Sequence, residues 1–287
     1  MDGQPPFSDQ TLVEARAGTR QVFDLALDGE LAAVAIVAAG TAHSPTEVEL
    51  VVAPSARHRG LGARLLAQLL TDPRLDGTEL RLGNPGSVLI WAHGDHPDAR
   101  ALAARFELIP QRQLFQLRLD PVRAAPVHLR PVRTHGAPAE VTAFQPGVDD
   151  AEWLALNARA FADHPEQGQL SQTDLESRLA EPWFNAADFL IARDALGVMT
   201  GFCWLKIEGE IGEFYAVAVS PAAQGSGLGR SLVNAGLARL LERQISVSSL
   251  YVEGENTAAL ALYRSVGFTD HTVDVQYRGI RRPVTAG

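Results

Sequence analysis

One segment of this chain occurs twice, and the repeat constrains the fold more than any other feature. Residues 50–70 align with residues 217–237 at a constant offset of 167, and eight of the 21 aligned positions are identical. In each copy an apolar run leads into a glycine-rich turn, and apolar residues at helical spacing follow. A repeat on this scale indicates two domains of one fold. The length of 287 residues agrees, because one domain usually holds roughly 100–200 residues.

Hydrophobic periodicity predicts strands that alternate with helices. Short or alternating apolar runs indicate strands, and apolar spacings of three and four indicate helices. Strands are expected at residues 22–39, as a hairpin turning at Asp28-Gly29-Glu30, and at residues 47–53, 189–192, 198–207 and 213–219. Helices are expected at residues 60–70, 149–161 and 228–241. The order of strand, glycine loop and helix is the informative arrangement, and both halves of the chain have it.

A proline-rich stretch separates the two copies. Prolines at positions 121, 126, 131, 138 and 146 disfavour one continuous helix or central strand. We therefore expect an N-terminal domain at residues 1–120, a linker at 121–139 and a C-terminal domain at 140–287. Residues 128–132 fit either the linker or a first strand of the second domain.

Composition narrows the classes of function. A net charge of −9 offers no basic face for a nucleic acid backbone. Cys203 is the only cysteine, which excludes an intrachain disulfide and a multi-cysteine zinc site, and it is expected to be packed rather than reactive. His58, His93 and His96 do not have metal-site spacing, so no metal is expected. The N-terminus lacks a signal-peptide pattern, and the longest apolar run, residues 31–39, is too short for a bilayer. We expect a cytoplasmic monomer with no membrane contact.

The glycine turn of the second copy has the character of a phosphate-binding loop. Gln224-Gly225-Ser226-Gly227-Leu228-Gly229 lies between a strand and a helix, where free N–H groups and the helix dipole favour an anion. Its spacing matches neither a Walker loop nor the GxGxxG dinucleotide fingerprint. A single such turn is more often structural. Its recurrence in the first copy, as Arg57-His58-Arg59-Gly60-Leu61-Gly62, favours a ligand loop.

Both loops resemble the acetyl-CoA pyrophosphate loop of the GNAT superfamily of N-acetyltransferases. A second signature is similar as well, because residues 256–268 match the superfamily pattern N-x-x-A-x-x-L-Y-x-x-x-G-F. The resemblance implies an α/β (α+β) fold with two tandem GNAT domains, each a mixed, mostly antiparallel central sheet flanked by helices. It also implies acetyl-CoA as co-substrate.

The resemblance assigns acetyl-CoA contacts in both copies. In the second copy they are Val217, Ala218, Val219, Gln224, Gly225, Ser226, Gly227, Leu228, Gly229, Arg230, Asn256, Thr257, Ala258, Ala259, Leu260 and Ala261. In the first copy they are Leu50, Val51, Val52, His58, Arg59, Gly60, Leu61, Gly62 and Ala63.

Acetyl transfer from a thioester to an amine needs a base, a backbone donor to the developing oxyanion and an acid for the leaving thiolate. Glu213, expected to open the strand before the loop, is the candidate base, and Tyr263 is the candidate acid. The ordinary alternatives are a solvated strand-end glutamate and a core tyrosine. Asn256, Leu260 and Tyr263 are spaced to share one helix face.

The first copy departs from this pattern. An offset of 160 places Ala103 opposite Tyr263 and His96 opposite Asn256, and Thr46 faces Glu213 in the other alignment, with Glu47 and Glu49 nearby. We expect the first domain to hold acetyl-CoA without turning it over.

Further segments resemble the mycothiol synthase family of two-domain acetyltransferases. They are residues 157–161, 164–168, 201–206 and 250–253. The resemblance implies acetyl transfer to the cysteine α-amine of cysteinyl-glucosaminyl-inositol, a small-molecule acceptor. It assigns acceptor contacts to Asp9, Glu166, Lys206, Glu213 and Tyr251. The alternatives are an acetyltransferase for another amine, such as an aminoglycoside or a protein N-terminus, and a non-enzymatic acyl-CoA-binding regulator.

Overall fold

The computed structural model describes residues 6–41, 44–75, 86–122, 133–134, 137–138, 140–162 and 167–281. The elements that follow from the first repeat are α1 (Asp9–Arg16), β1 (Gln21–Leu27), β2 (Glu30–Ala38), β3 (Thr46–Val52), α2 (Leu61–Thr71), β4 (Gly86–Ala92), α3 (Pro97–Arg105) and β5 (Ile109–Leu119). The later elements are β6 (Arg133–Thr134), β7 (Ala137–Pro138), β8 (Glu140–Ala143), α4 (Asp150–Ala160), α5 (Gln172–Leu179), β9 (Phe189–Arg193), β10 (Met199–Glu208), β11 (Ile211–Val219), α6 (Leu228–Glu242), β12 (Val247–Glu253), α7 (Thr257–Val266) and β13 (Thr269–Arg281).

The chain forms two compact units, and each is built from more than one stretch of the sequence. The first comprises Met1–Phe115, Glu253–Glu255 and Thr272–Gly287, and the second comprises Gln116–Val252 and Asn256–His271. The first unit therefore includes most of the last strand, β13, which pairs antiparallel with β4. Most of the expected linker, residues 123–132, 135–136 and 139, lies outside the described residues, so the linker boundaries stay a prediction.

The first unit is built on a mixed sheet. Strands β1, β2 and β3 pair antiparallel, β3 and β4 pair parallel, and β4 and β13 pair antiparallel. Leu65, Leu66 and Leu69 of α2 are buried against this sheet. The Asp28–Gly29 turn has positive φ at both residues, 56° and 84°, so the predicted hairpin is confirmed.

The second unit repeats this arrangement. Strands β8, β9, β10 and β11 pair antiparallel, and β11 pairs parallel with β12. Its core is aromatic, with Trp204 stacked on Phe189 at 4.2 Å and Trp153 meeting both rings edge-on. Burying each such side chain contributes about 1.5–3 kcal/mol. The expected class, a mixed and mostly antiparallel sheet flanked by helices in each copy, is confirmed.

Cys203 is fully buried within β10. Burial raises the pKa of its thiol, because the thiolate is disfavoured away from water. The interpretation of Cys203 as a packed residue is therefore confirmed. Among the described residues, no cluster of His, Cys, Asp and Glu could hold a metal ion.

Candidate active site

Strands β11 and β12 run side by side over four residue pairs and then separate. The parallel ladder joins Ile211 with Val247 at one end and Phe214 with Leu250 at the other. A bulge at Tyr215, where the register with β10 shifts, coincides with the separation. Beyond it, β11 keeps its pairs with β10 as far as Val219 and Gly201. The other edge of this segment can hydrogen-bond an extended ligand arm.

The glycine loop follows this open segment directly. A short 3₁₀ turn, Pro221–Ala223, leads to Gly225 and Gly227, whose φ angles are +74° and +86°. Gly227 is the N-cap of α6, with no side-chain cap bond. A Cβ atom added to Gly225 or Gly227 would meet no atom within 4 Å. The backbone therefore surrounds an open cradle at a helix N-terminus, which suits a phosphate.

The first unit has the same construction. The parallel ladder between β3 and β4 also joins four pairs, from Thr46 with Val88 to Glu49 with Trp91. Gly60, the N-cap of α2, has φ +77° and no side-chain cap. A cavity of about 440 Å³ lies in this unit, and its lining includes every residue assigned to acetyl-CoA there except Arg59.

Tyr263 lies on α7 with only 8% of its surface exposed. Its ring meets Phe268 edge-on at 5.8 Å. Burial, with a smaller electrostatic effect of Cys203, raises the pKa of the Tyr263 phenol. The phenol therefore keeps its proton at neutral pH and can donate it in a hydrogen bond.

Glu213 is the third residue of β11, not the first, so the expectation that it opens the strand is wrong by two residues. It lies half-buried between two register partners, Lys206 of β10 and Ser249 of β12. Lys206 forms an ion pair with Glu208 at 2.8 Å and lies 5.6 Å from the Trp183 ring centre. A carboxylate and an ammonium group thus face each other across adjacent strands.

Tyr251 stands one residue beyond the last β11–β12 pair. Its side chain is 48% exposed, and its hydroxyl accepts a hydrogen bond of 2.7 Å from Nε2 of Gln116. Sequence patterns did not single out Gln116, since the two residues are 135 positions apart. Tyr215 is the bulged residue of β11, and its hydroxyl accepts a hydrogen bond of 3.1 Å from Arg178 Nε.

Relatives with known names match this chain closely. It is 45% identical over 289 residues to the mycothiol acetyltransferase of Sanguibacter keddieii, which covers 96% of this chain and 88% of the relative. It is 44% identical over 287 residues to that of Thermobispora bispora, with coverage of 96% and 90%. This chain belongs to the mycothiol acetyltransferase family.

The acetyltransferase (GNAT) family profile matches residues 153–268 of this mycothiol acetyltransferase family member. This range contains the separated strands β11 and β12, the loop and α7. The chain is thus an acetyl-CoA-dependent N-acetyltransferase. In the described ranges, no helix combines the length and apolarity needed to cross a membrane.

Solved structures agree on the fold of this acetyltransferase. A GCN5-related N-acetyltransferase from Sphaerobacter thermophilus has a TM-score of 0.75 at 21% identity, covering 98% of this chain and 89% of that one. A tandem GNAT protein from the clavulanic acid biosynthesis pathway has a TM-score of 0.68 at 15% identity, covering 98% and 90%. At these identities the likeness concerns the fold alone.

Other assigned residues of the acetyltransferase have structural partners. Asn256 is the N-cap of α7, where its Oδ1 accepts a bond of 3.1 Å from the N–H of Ala259. The guanidinium group of Arg230 donates to Ser265 Oγ at 2.7 Å. Glu166 and the side chain of Asp9 lie outside the described residues, so their assigned roles stay predictions.

A buried ionic network occupies the first unit of the acetyltransferase. His93 lies between two carboxylates, with Nδ1 2.9 Å from Asp274 and Nε2 3.2 Å from Glu49. Glu49 also accepts from Ser8 and from the Thr11 hydroxyl at 2.6 Å. Burial opposes both charges, but these hydrogen bonds outweigh it and shift the pKa of Glu49 to about 2 and that of His93 to about 9. The network ties α1 and β13 to the wall of the first cavity.

Proposed function

We propose that this chain transfers the acetyl group of acetyl-CoA to the cysteine α-amine of cysteinyl-glucosaminyl-inositol, releasing CoA and forming mycothiol. One observation carries the proposal. In a member of this family, the second unit combines separated strands, an uncapped glycine loop and a protonated tyrosine. The strands and the loop offer backbone groups to an extended ligand that carries a phosphate, and the tyrosine offers a hydrogen bond to a leaving sulfur.

The second unit is proposed to hold acetyl-CoA along β11 and its loop. The open backbone edge from Val217 to Val219 would bond the pantetheine arm, and the residues from Gln224 to Arg230 would hold the pyrophosphate. The open space over Gly225 and Gly227 supports this assignment, since a side chain there would occupy the cradle. When bound, acetyl-CoA supplies the thioester that is attacked.

Glu213 is proposed to accept the proton that the acceptor amine loses. A cysteine α-amine has a pKa near ~8, so part of it is neutral at pH 7 and the base need not be strong. The carboxylate also holds the ammonium form of the acceptor near the thioester. Lys206, beside it on β10, is positioned to bond an acceptor hydroxyl group.

Tyr263 is proposed to stabilise the leaving sulfur by hydrogen bonding. A thiol has a pKa near ~8.5, which lies below that of a buried phenol. Complete proton transfer from Tyr263 to the thiolate is therefore uphill, whereas donation of a hydrogen bond is favourable. Solvent can then supply the final proton to CoA.

The first unit is proposed to bind acetyl-CoA without catalysis. Ala103 stands where the alignment calls for a tyrosine, and Thr46 stands where it calls for Glu213. The nearby carboxylates do not replace the base. Glu49 is saturated by hydrogen bonds and has a pKa of about 2, and Glu47 lies 3.4 Å from Arg20. A cytoplasmic location and a monomeric state remain part of the proposal.

A panel of amines with acetyl-CoA tests the acceptor. We expect cysteinyl-glucosaminyl-inositol to give the highest kcat/KM against an aminoglycoside, an N-terminal peptide and glucosaminyl-inositol without cysteine. Because the acceptor has its own thiol, CoA should be measured by chromatography and the product by mass spectrometry. Equal or better turnover of another amine would favour the alternative acetyltransferase, and no turnover at all would favour the regulator.

A further inference from the structure

Gln116 is a buried polar residue directly beside a proposed acceptor contact. It lies on β5, the strand next to β12 in the sheet, and only 9% of its surface is exposed. Glutamine at such depth is uncommon in proteins and normally has its amide fully hydrogen-bonded. Here the Nε2 atom donates to the Tyr251 hydroxyl at 2.7 Å.

The other end of the same amide has no hydrogen bond. The Oε1 atom of Gln116 is buried without a partner among the described residues. A buried carbonyl without a partner is a cost that an apolar residue of similar size would avoid. Gln116 thus keeps a buried carbonyl at a cost in free energy. Among the described residues, the hydrogen bond of its side chain goes to Tyr251.

The amide holds one end of a partly exposed side chain. Tyr251 is 48% exposed and stands one residue beyond the last pair of the β11–β12 ladder. A hydrogen bond from a buried strand residue holds the phenol oxygen at one point. A fixed phenol loses less conformational freedom when it binds a hydroxyl group of a ligand.

We propose that Gln116 is a positioning residue for the acceptor, holding the Tyr251 hydroxyl in the orientation that bonds a hydroxyl of the sugar or cyclitol part. This inference rests on the proposed function, because that function makes Tyr251 an acceptor contact. It predicts an effect on acceptor binding alone, since Gln116 contacts neither the glycine loop nor Tyr263 in the described hydrogen bonds.

Gln116→Leu and Gln116→Glu test it. Leucine removes the amide at similar size. A glutamate carboxylate would accept a hydrogen bond from the phenol instead of donating one, which takes the phenol proton away from the acceptor. Each variant should raise the acceptor KM about three- to tenfold, the range expected for one lost hydrogen bond. Both kcat and the acetyl-CoA KM should stay within twofold of the wild type, or about 0.4 kcal/mol.

A matched control separates positioning from packing. Gln276 on β13 is also buried, at 2% exposure, and its Oε1 also lacks a partner. Gln276→Leu should leave the acceptor KM unchanged. Melting curves for all variants show whether the fold is kept, and the comparison uses variants whose melting temperature stays above the assay temperature.

A double-mutant cycle with Tyr251→Phe tests whether Gln116 affects the acceptor KM through Tyr251. In the Tyr251→Phe background, Gln116→Leu should have no further effect on the acceptor KM. Additive effects, or an acceptor KM unchanged in both Gln116 variants, would overturn the inference while leaving the proposed function standing. If Tyr251→Phe itself leaves the acceptor KM unchanged, the assignment of Tyr251 fails and the inference fails with it.

Discussion

Lys206 of β10 and Glu213 of β11 are direct register partners, so an ammonium group and a carboxylate stand side by side on adjacent strands. The pair lies within the ladder segment that still joins β11 to β12, just before the two strands separate. A base at this point can reach an amine that approaches the thioester along the separated strands. Glu213 therefore has both the charge and the position that a base for the acceptor amine needs.

Glu213→Gln should change how the rate depends on pH. Without the carboxylate, the reaction relies on amine that is already neutral, so kcat/KM should rise with pH until about 8, the pKa of the amine. At pH 7 we expect a loss of roughly 100-fold, the lower end of the range for general bases, because part of the amine is already neutral. The measurement is a pH profile from 6 to 9. Glu210→Gln, an exposed turn residue nearby, serves as control. An unchanged profile for Glu213→Gln would exclude it as the base.

Tyr263→Phe should lower kcat by roughly 100-fold and leave the affinity for acetyl-CoA nearly unchanged, because it removes only the group that bonds the leaving sulfur. The ring and its contact with Phe268 remain, so the fold should persist. Steady-state kinetics and acetyl-CoA titration measure the two effects. Tyr277→Phe is a matched control, since Tyr277 is equally buried in the first unit. Full activity of Tyr263→Phe would refute its role.

Turns and helix caps of this fold could be predicted from the sequence, and contacts between residues far apart in the sequence could not. The Asp28–Gly29 turn and the Gly227 cap were predictable, because backbone positions with positive φ favour glycine, and tight hairpin turns favour the pair Asp-Gly. The pairing of β13 with β4 was not, since strands of strong periodicity give no sign of their partner. Gln116 was overlooked for the same reason, as nothing local marks its contact with Tyr251.

Part of the candidate active site could also be predicted from the sequence. The internal repeat made the two glycine loops recognisable. The presence of Ala103 where the second copy has a tyrosine showed that the two copies differ in their candidate catalytic residues. The saturation of Glu49 by Ser8, Thr11 and His93 needs the folded structure, because its partners come from two segments that lie far from it in the sequence.

The network around His93 should make stability depend on pH in two directions. The raised pKa of His93, about 9 against 6.5, gives stability that is fully present below pH 6.5 and is lost as the pH rises through about 9. The lowered pKa of Glu49 gives stability that is present above pH 4.5 and is lost as the pH falls through about 2. Thermal melting between pH 5 and 10 should therefore show a decline above pH 6.5.

His93→Leu should remove that decline and cost about 3 kcal/mol at pH 6, because it leaves buried carboxylates without their cation. Denaturant unfolding measures the loss, and the exposed His271→Gln should retain the wild-type profile. A wild-type pH profile in His93→Leu would show that the network does not govern stability.

The paired glycine variants Gly227→Ala and Gly60→Ala test the central claim, catalysis by the second copy alone, most directly. Both glycines have positive φ and open space above them, so the two substitutions impose similar strain, about 1 kcal/mol. With cysteinyl-glucosaminyl-inositol as acceptor, Gly227→Ala should raise the acetyl-CoA KM about tenfold or more, since the new methyl group enters the pyrophosphate cradle. Gly60→Ala should leave kcat and both KM values unchanged. A rise in the acetyl-CoA KM of Gly60→Ala equal to that of Gly227→Ala would contradict the account.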